Sequence, residues 1–395
     1  MTIKKWIIAA ALIAACLFVP KCAPARAEDA ENITSLASIT LSNNSTCIPY
    51  LTDERYISVW SSKKGYMEIS LPQSTPCYGI YLCMSGQASG YTIELPDEAG
   101  EWMSYKKIQP SRYLHQFQPL PGVSRFRVRA ANEGIMLRIA EMRLLGAGTP
   151  PAWVQNWETL EGKADMMLLS AHPDDEVIWF GGALPYYAGE LHKKVQVVSL
   201  TCATNYRMNE LLDCLWTCGV HYYPQVAGFK DERCSTRQKM YAVWGGTKRV
   251  FPWLVSILRR YQPDVLLTHA LNGEYGHGAH QVAAAASVQC VALAAKPDYD
   301  PDSFAQFGAW QVKKLYLHSY EQNQIVMNWD RPLTEFEGET AFDVAGKALK
   351  KHRSQFPLSD EMLESGPYDC RIFGLYMSTV GEDKLKDDFF EHISF

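Results

Sequence analysis

The sequence predicts an all-β sandwich followed by an α/β domain built on a parallel sheet. Before the stretch Gly146-Ala-Gly-Thr-Pro-Pro-Ala152, short alternating runs are separated by turn residues and helical periodicity is absent. After it, continuous apolar strands alternate with helical patterns, as in sheets covered on both faces. The length of 395 residues agrees with more than one domain, since domains run to roughly 100–200 residues.

The chain opens with Lys4 and Lys5, continues as an apolar run from Trp6 to Val19, and reaches Ala25-Arg26-Ala27. This is the order of a secretory signal, and the run is shorter than the ~20 residues a membrane span needs. Cleavage after Ala27 and a secreted or extracytoplasmic protein are therefore expected. Ile13-Ala-Ala-Cys16 offers an alternative, a lipid anchor at Cys16. Removing 1–27 takes away Lys4, Lys5, Lys21 and Arg26, moving the net charge from −5 to −9. So acidic a chain is unsuited to nucleic acid phosphates. Export also permits disulfides. Cys47, Cys77 and Cys83 offer one bridge, whereas Cys214 and Cys218, four apart on one helical face, read as core. The absence of Cys-x-x-Cys argues against a structural thiolate zinc site.

The sandwich is expected over 28–150, with strands at 65–71, 79–84, 90–95, 124–129 and 135–140. Trp60 and Trp102 are expected in its core. The second domain is expected over 151–395, with strands at 166–170, 195–201 and 265–268. Helices are expected at 177–192, 207–219 and about 280–295.

The chemistry follows two of those strands. The strand at 166–170 runs into Ala171-His172-Pro173-Asp174-Asp175-Glu176, and ligands of open parallel sheets sit at the C-terminal strand ends. His172 and Asp175 can converge on one metal ion, with Pro173 fixing the backbone between them and Asp174 left beside the ion. Helix capping accounts for one or two acids here, but not for the His-Pro before them. The strand at 265–268 leads to His269 and then Asn272-Gly-Glu-Tyr-Gly-His277-Gly-Ala-His280. His277 and His280, three apart at a helix start, can face one centre. Two histidine-bearing loops at equivalent strand ends, one with paired carboxylates, indicate a metal site.

With these motifs in place, residues from about 164 to 395 resemble the PIG-L/LmbE-like zinc de-N-acetylases. Ala171-His-Pro-Asp-Asp-Glu176 and Gly273-Glu-Tyr-Gly-His277…His280 carry the resemblance. Arg207-x-x-Glu210, Lys347…His352-Arg-Ser-Gln355 and Asp387-Asp-Phe-Phe-Glu-His-Ile393 extend it. The resemblance implies a Rossmann-like sheet, a Zn2+ cofactor held by His172, Asp175 and His280, and Asp174 as general base. It gives His277 the task of steadying the tetrahedral intermediate and helping to protonate the leaving amine. Arg207 is expected either to contact substrate hydroxyls or to pair with Glu210 on its helix. One departure stands out: the family commonly has His-Pro-Asp-His where this chain has His277-Gly-Ala279-His280. The missing acid leaves His277 less basic and less fixed, unless another acid such as Glu274 substitutes.

Residues about 50–147 resemble the discoidin, or coagulation factor 5/8 type C, sandwich, a galactose-binding-like fold. The match rests on Leu51-Thr-Asp-Glu…Val59-Trp60-Ser61, Tyr91-Thr-Ile-Glu-Leu…Trp102 and Arg125-Phe-Arg-Val-Arg129. Together the two resemblances imply an exported zinc N-deacetylase acting on an N-acetylated sugar or surface glycan. The alternatives are a glycan-binding protein whose deacetylase fold keeps metal but has lost turnover, and a zinc amidase on a sugar conjugate.

Overall fold

A computed structural model describes residues 28–87, 89–131, 136–356 and 362–394. The expected signal and the Cys16 box lie outside the described residues. Among the described residues no helix is long and apolar enough to cross a membrane.

The N-terminal strands are β1 (Ser38–Leu41), β2 (Trp60–Ser62), β3 (Tyr66–Ser70), β4 (Cys77–Met84), β5 (Tyr91–Pro96), β6 (Trp102–Ile108), β7 (His115–Val123), β8 (Arg125–Ala130) and β9 (Leu137–Leu145). They form a five-stranded sheet, β1-β3-β8-β5-β6, packed on a four-stranded sheet, β2-β9-β4-β7. Alternation along β8 shows why: Phe126 and Val128 turn into the core, while Arg125, Arg127 and Arg129 turn outward. Four strands, β1, β2, β6 and β7, have no counterpart among the expected ones. β6 is largely exposed and carries no alternation, and β7 contains Pro119 and Pro121, which an edge strand tolerates.

Trp60 is fully buried, as expected. Trp102 is not in the core. It lies on the outer face, where the Arg127 guanidinium is sandwiched between the Trp102 ring at 3.8 Å and the Tyr66 ring at 3.9 Å. The bridge expected among Cys47, Cys77 and Cys83 is absent, and all nine described cysteines are free. Cys77 and Cys83 are buried, and they belong to different clusters of the core.

The second domain begins after the Gly/Pro stretch. Its elements are β10 (Met166–Ser170), α1 (Asp175–Ile178), β11 (Val195–Thr201), α2 (Asn205–Thr217), β12 (Gln225–Phe229), α3 (Arg237–Val243) and α4 (Thr247–Tyr261). They continue with β13 (Val265–Thr268), α5 (Gly278–Ala294), α6 (Pro301–Phe307), β14 (Lys314–His318), β15 (Gln324–Val326), α7 (Ala341–Leu349) and β16 (Ile372–Ser378). The sheet runs β12-β11-β10-β13-β14-β16-β15. The first five strands are parallel, and β16 and β15 add an antiparallel edge. Burial on both faces explains the unbroken apolar runs. Met166 and Leu168 face one core, and Met167 and Leu169 face the other.

The helix expected over 177–192 is broken. Only α1 forms, followed by a turn and a π-helical segment at Pro185–Glu190. Gly181 sits at φ +52°, where a Cβ would approach Trp329 Nε1 and Cys370 Sγ within 2.7 Å. The apolar periodicity therefore reflects burial of irregular backbone, not a continuous helix. β10 is central, with β11 on one side and β13 on the other. The crevice beyond β10 and β13 is thus the point where the strand order reverses, the usual ligand position in such sheets.

Candidate metal centre

Both histidine loops leave the sheet at that crevice. Leu169 is paired with Thr268, so the turn after β10 and the loop after β13 start side by side. They are joined directly: the Ala171 N–H donates to His269 Nε2 at 3.0 Å.

Three of the residues singled out by sequence come together. His172 Nδ1 lies 3.1 Å from Asp175 Oδ2 and 3.2 Å from His280 Nε2. His280 Nε2 in turn is 3.3 Å from Asp175 Oδ1. Ligands held at ~2.0–2.1 Å around a tetrahedral ion stand about 3.3–3.4 Å apart, and the three distances, taken to both Asp175 oxygens, are of that size. His277 also lies within ligand range of His172 and His280, and His269 of Asp175 and His280. Two of these side chains, Asp175 and His280, are also held in orientation from behind. Asp175 Oδ1 accepts from Trp179 Nε1 at 2.8 Å, and Oδ2 accepts from the His172 N–H at 2.7 Å. His280 Nδ1 faces Glu274 Oε2 at 2.8 Å, which leaves Nε2 for the centre.

The field at this point favours a cation. Burial alone would raise the Asp175 pKa, but the imidazoles of His280, His172 and His269 outweigh it and hold the carboxyl well below its usual range. Burial opposes charge on His280 as well, yet Asp175 and Glu274 lift its pKa to about 10. The potential that favours a proton there favours a metal ion equally.

Glu274 is the hub of the second loop. Its Oε1 accepts from the Ala270 N–H at 2.9 Å and faces His318 Nδ1 at 3.0 Å. Its Oε2 serves both His280 and His269, the latter at 3.2 Å. Burial would raise the Glu274 pKa, but His269 and the hydrogen bonds from three imidazoles keep it well below the usual carboxylate range. Its bonds are therefore to His269, His280 and His318, and it does not replace the acid missing at Ala279 as the partner of His277.

His277 caps α5, its Nδ1 accepting from the Ala279 N–H at 3.3 Å. Its ring stands edge-on to His172 with centroids 4.7 Å apart. Burial, with His172 and His280 nearby, pushes its pKa down to about 3. With Nδ1 accepting, the neutral ring carries its proton on Nε2.

Asp174 is bonded to none of the three donors. Its backbone sits at φ 109°, outside the range side-chain-bearing residues favour. Two contacts hold it: its N–H donates to Glu176 Oε2 at 2.8 Å, and its Oδ2 accepts from Arg207 Nη2 at 2.9 Å. Burial and the neighbouring Asp175 raise its pKa to about 7, with Arg207 opposing them. Arg207 is in the first turn of α2 and also donates to the Pro173 carbonyl and to Asp231 Oδ2. It does not pair with Glu210, which instead accepts from the N–H and hydroxyl of Ser354 at 2.7 and 2.6 Å.

Several residues at the site lacked a role in the sequence reading. Glu176 Oε1 faces His352 Nε2 at 2.7 Å, joining the motif to a segment beyond α7. His318 ends β14, and Asp231 follows β12. Their position at C-terminal strand ends is a signal that sequence could have offered.

The chain is similar to proteins of known type. The matching relatives include the 1D-myo-inositol 2-acetamido-2-deoxy-alpha-D-glucopyranoside deacetylase 1 of Frankia casuarinae, 29% identical over 203 residues, or 42% of this chain and 62% of the relative. The corresponding deacetylase of Geodermatophilus obscurus is 28% identical over 181 residues, 38% of this chain and 60% of the relative. The chain thus spans about three-fifths of the length of these relatives. Among solved structures, N,N'-diacetylchitobiose deacetylase from Pyrococcus horikoshii aligns with a TM-score of 0.37 and 19% identity, over 49% of this chain and 72% of that one. An F5/8 type C domain from Bacteroides fragilis aligns with a TM-score of 0.25 and 17% identity, over 30% of this chain and 95% of that one. Residues 167–291 match the family described as GlcNAc-PI de-N-acetylase, and the chain therefore carries a PIG-L domain.

Proposed function

We propose that the PIG-L domain is a zinc-dependent hydrolase that removes the N-acetyl group from an N-acetylglucosamine-type sugar, in an exported chain whose sandwich domain holds the glycan. The observation that carries this reading is the convergence of His172, Asp175 and His280 at about ligand spacing beside a half-buried carboxylate, Asp174, that is bonded to none of them. The names of the relatives, deacetylases of an acetamido sugar, support the substrate class. The signal-like order of residues 1–27 supports export.

His172, Asp175 and His280 would hold the zinc, which when bound supplies a Lewis acid and lowers the pKa of water to about 7. Asp174, with Oδ2 fixed by Arg207, takes a proton from the attacking water. As the water oxygen bonds to the acetyl carbon, His277 donates a hydrogen bond from Nε2 to the developing oxyanion. The C–N bond then breaks, the proton held by Asp174 passes to the amine nitrogen, and acetate leaves. His277 acts here as a neutral donor, its Nδ1 being occupied by the Ala279 N–H.

The test is acetate release from N-acetylglucosamine oligomers and peptidoglycan fragments by the full chain, with metal content measured alongside. Asp174→Ala should abolish release and keep the metal; loss of metal in that variant would overturn the assignment of base and ligands. Metal-loaded protein that releases no acetate from any N-acetyl sugar would favour a glycan-binding role without turnover. Ala279, in the place of the usual acid, is the feature that supports this second reading.

A further inference from the structure

The sandwich and the PIG-L domain flank a second candidate site, away from the histidines of the metal centre. A cavity of about 1030 Å³ lies where the outer face of the four-stranded sheet, the inter-domain segment and the C-terminal half of α2 meet. On the PIG-L side it reaches Val195, the first residue of β11, and the Gly219–Tyr222 stretch. This is the N-terminal edge of the parallel strands, whereas the metal centre lies beyond their C-terminal ends. None of the metal-centre residues lines it. Along α2, Arg207 at the base and Trp216 at the cavity are separated by roughly 14 Å at 1.5 Å per residue.

The cavity is preformed by hydrogen bonds that meet at Asp213, one across the domains and one from the inter-domain segment. Tyr56 donates its hydroxyl hydrogen to Asp213 Oδ2 at 2.7 Å, and Gln155 Nε2 donates to Asp213 Oδ1 at 2.6 Å. Its wall carries indole rings. Trp153 is 42% exposed yet held edge-on against Tyr81, with centroids 5.6 Å apart, and Trp216 is fixed by its Nε1–H to the Ala152 carbonyl at 2.8 Å. Charged groups around the rings include two ion pairs, Glu141 with Arg143 at 2.6 Å and Glu54 with Arg353 at 3.1 Å. The remaining lining charges, Glu158, Asp213 and Glu335 against Lys193 and Lys351, largely offset one another. Paired charges give no net attraction for an anion or a cation, but they offer acceptors and donors side by side for neighbouring hydroxyls. Aromatic faces offer the complementary surface for the C–H face of a sugar ring. Sites at domain interfaces with an apolar wall and a few placed polar groups are the common form of ligand pockets, at roughly 300–1,000 Å³.

We propose that this inter-domain cavity is a binding site for an uncharged saccharide chain, separate from the metal centre, with the Trp153 ring as its platform. Only the wall chemistry sets the ligand class, so the site does not require that the proposed deacetylation occur.

The test is calorimetric titration of the full chain with four probes: N-acetylglucosamine tetramer, cellotetraose, lactose and a glucuronate oligomer. At least one neutral probe should bind, and Trp153→Ala should weaken it tenfold or more. Ala152→Trp, a change at an exposed cavity residue, should block it to the same degree and decides the matter if Trp153→Ala fails to fold. His280→Ala should bind as the unaltered protein does. Three results would each overturn the proposal: no neutral probe binds, only the acidic one binds, or binding is lost in His280→Ala and kept in both cavity variants. Absence of acetate release with binding intact would count against the deacetylase reading alone.

Discussion

Glu274→Gln isolates how much of the metal site depends on one buried carboxylate. Glu274 is fully buried at its side chain and takes four hydrogen bonds, from His280 at 2.8 Å, Ala270 N–H at 2.9 Å, His318 at 3.0 Å and His269 at 3.2 Å. All four partners act as donors toward it, and an ionised carboxylate accepts from all. The glutamine amide matches it in shape but turns one oxygen acceptor into an NH2 donor. Whichever way the amide lies, two donors then face the NH2 group. Where that side is Oε2, the imidazole of His280 loses the partner that keeps Nε2 directed at the centre. Changing such a partner costs 10–100-fold in metal affinity, about 1.4–2.7 kcal/mol. A donor left buried without an acceptor costs the metal-free fold about 1–3 kcal/mol more. Backbone strain cancels from the comparison, since Glu274 already sits at φ 55° and glutamine inherits the same conformation. Zinc competition against a chromophoric chelator reads the first quantity, and urea unfolding of the metal-free protein reads the second. Zinc affinity within twofold of the unaltered chain, in a folded variant, would show that Glu274 does not orient the ligand.

Other consequences are open to direct measurement. Lys314 is buried against Asp383, whose Oδ2 also accepts from Tyr316 at 2.5 Å. Lys314→Met should therefore destabilise by about 3–5 kcal/mol, and the double change with Asp383→Leu should recover most of it; equal losses in the single and double variants would contradict this. Because burial raises Asp174 to about 7 and only its ionised form accepts a proton, kcat/KM should fall as pH drops through 7 or, with a cation beside it, somewhat lower. A profile that climbs from pH 7 to pH 5 is incompatible with Asp174 as base. Ala279→Asp places a carboxylate two residues from His277 and should raise its pKa from about 3 by roughly 1–3 pH units, followed by ring-proton NMR. Trp60→Ala, at a fully buried position of the sandwich, should cost about 3–5 kcal/mol in chemical unfolding.

What was legible in the sequence is what short-range pattern encodes. β10, β11 and β13 span the residues expected of them, because strands buried on both faces are rich in apolar residues, even where β11 buries Gln196, Ser199 and Thr201. His172 and Asp175, three apart across a turn, and His280, at a helix start, follow strands that prove to be neighbours. The helix over 177–192 was misread because burial, not helical geometry, made the stretch apolar. β6 and β7 were invisible because one is exposed along its length and the other carries prolines at a sheet edge. Trp102 was assigned to the core by its hydrophobicity, although its ring serves as a face for Arg127. The partners of Glu274, Glu176 and Arg207 were equally hidden, since hydrogen bonds to His318, His352 and Asp231 join segments with no periodic relation.

That last class of contact decides the chemistry. Asp174 sits at φ 109°, a conformation that costs about 1–3 kcal/mol and persists only where surrounding contacts over-determine it. The contacts are identifiable. Arg207 grips both the Asp174 carboxylate and the Pro173 carbonyl before it, while Glu176 holds the Asp174 N–H and is itself held by His352. An Asp-Asp pair without these partners would be free to relax to ordinary backbone angles, and both carboxylates could then turn to the same ion. The proposed division of labour between Asp175 as ligand and Asp174 as base would therefore not reside in the His-Pro-Asp-Asp-Glu run alone. It would be imposed by an arginine on α2 and, through Glu176, a histidine beyond α7, which hold the backbone at Asp174 in a conformation it would not otherwise keep.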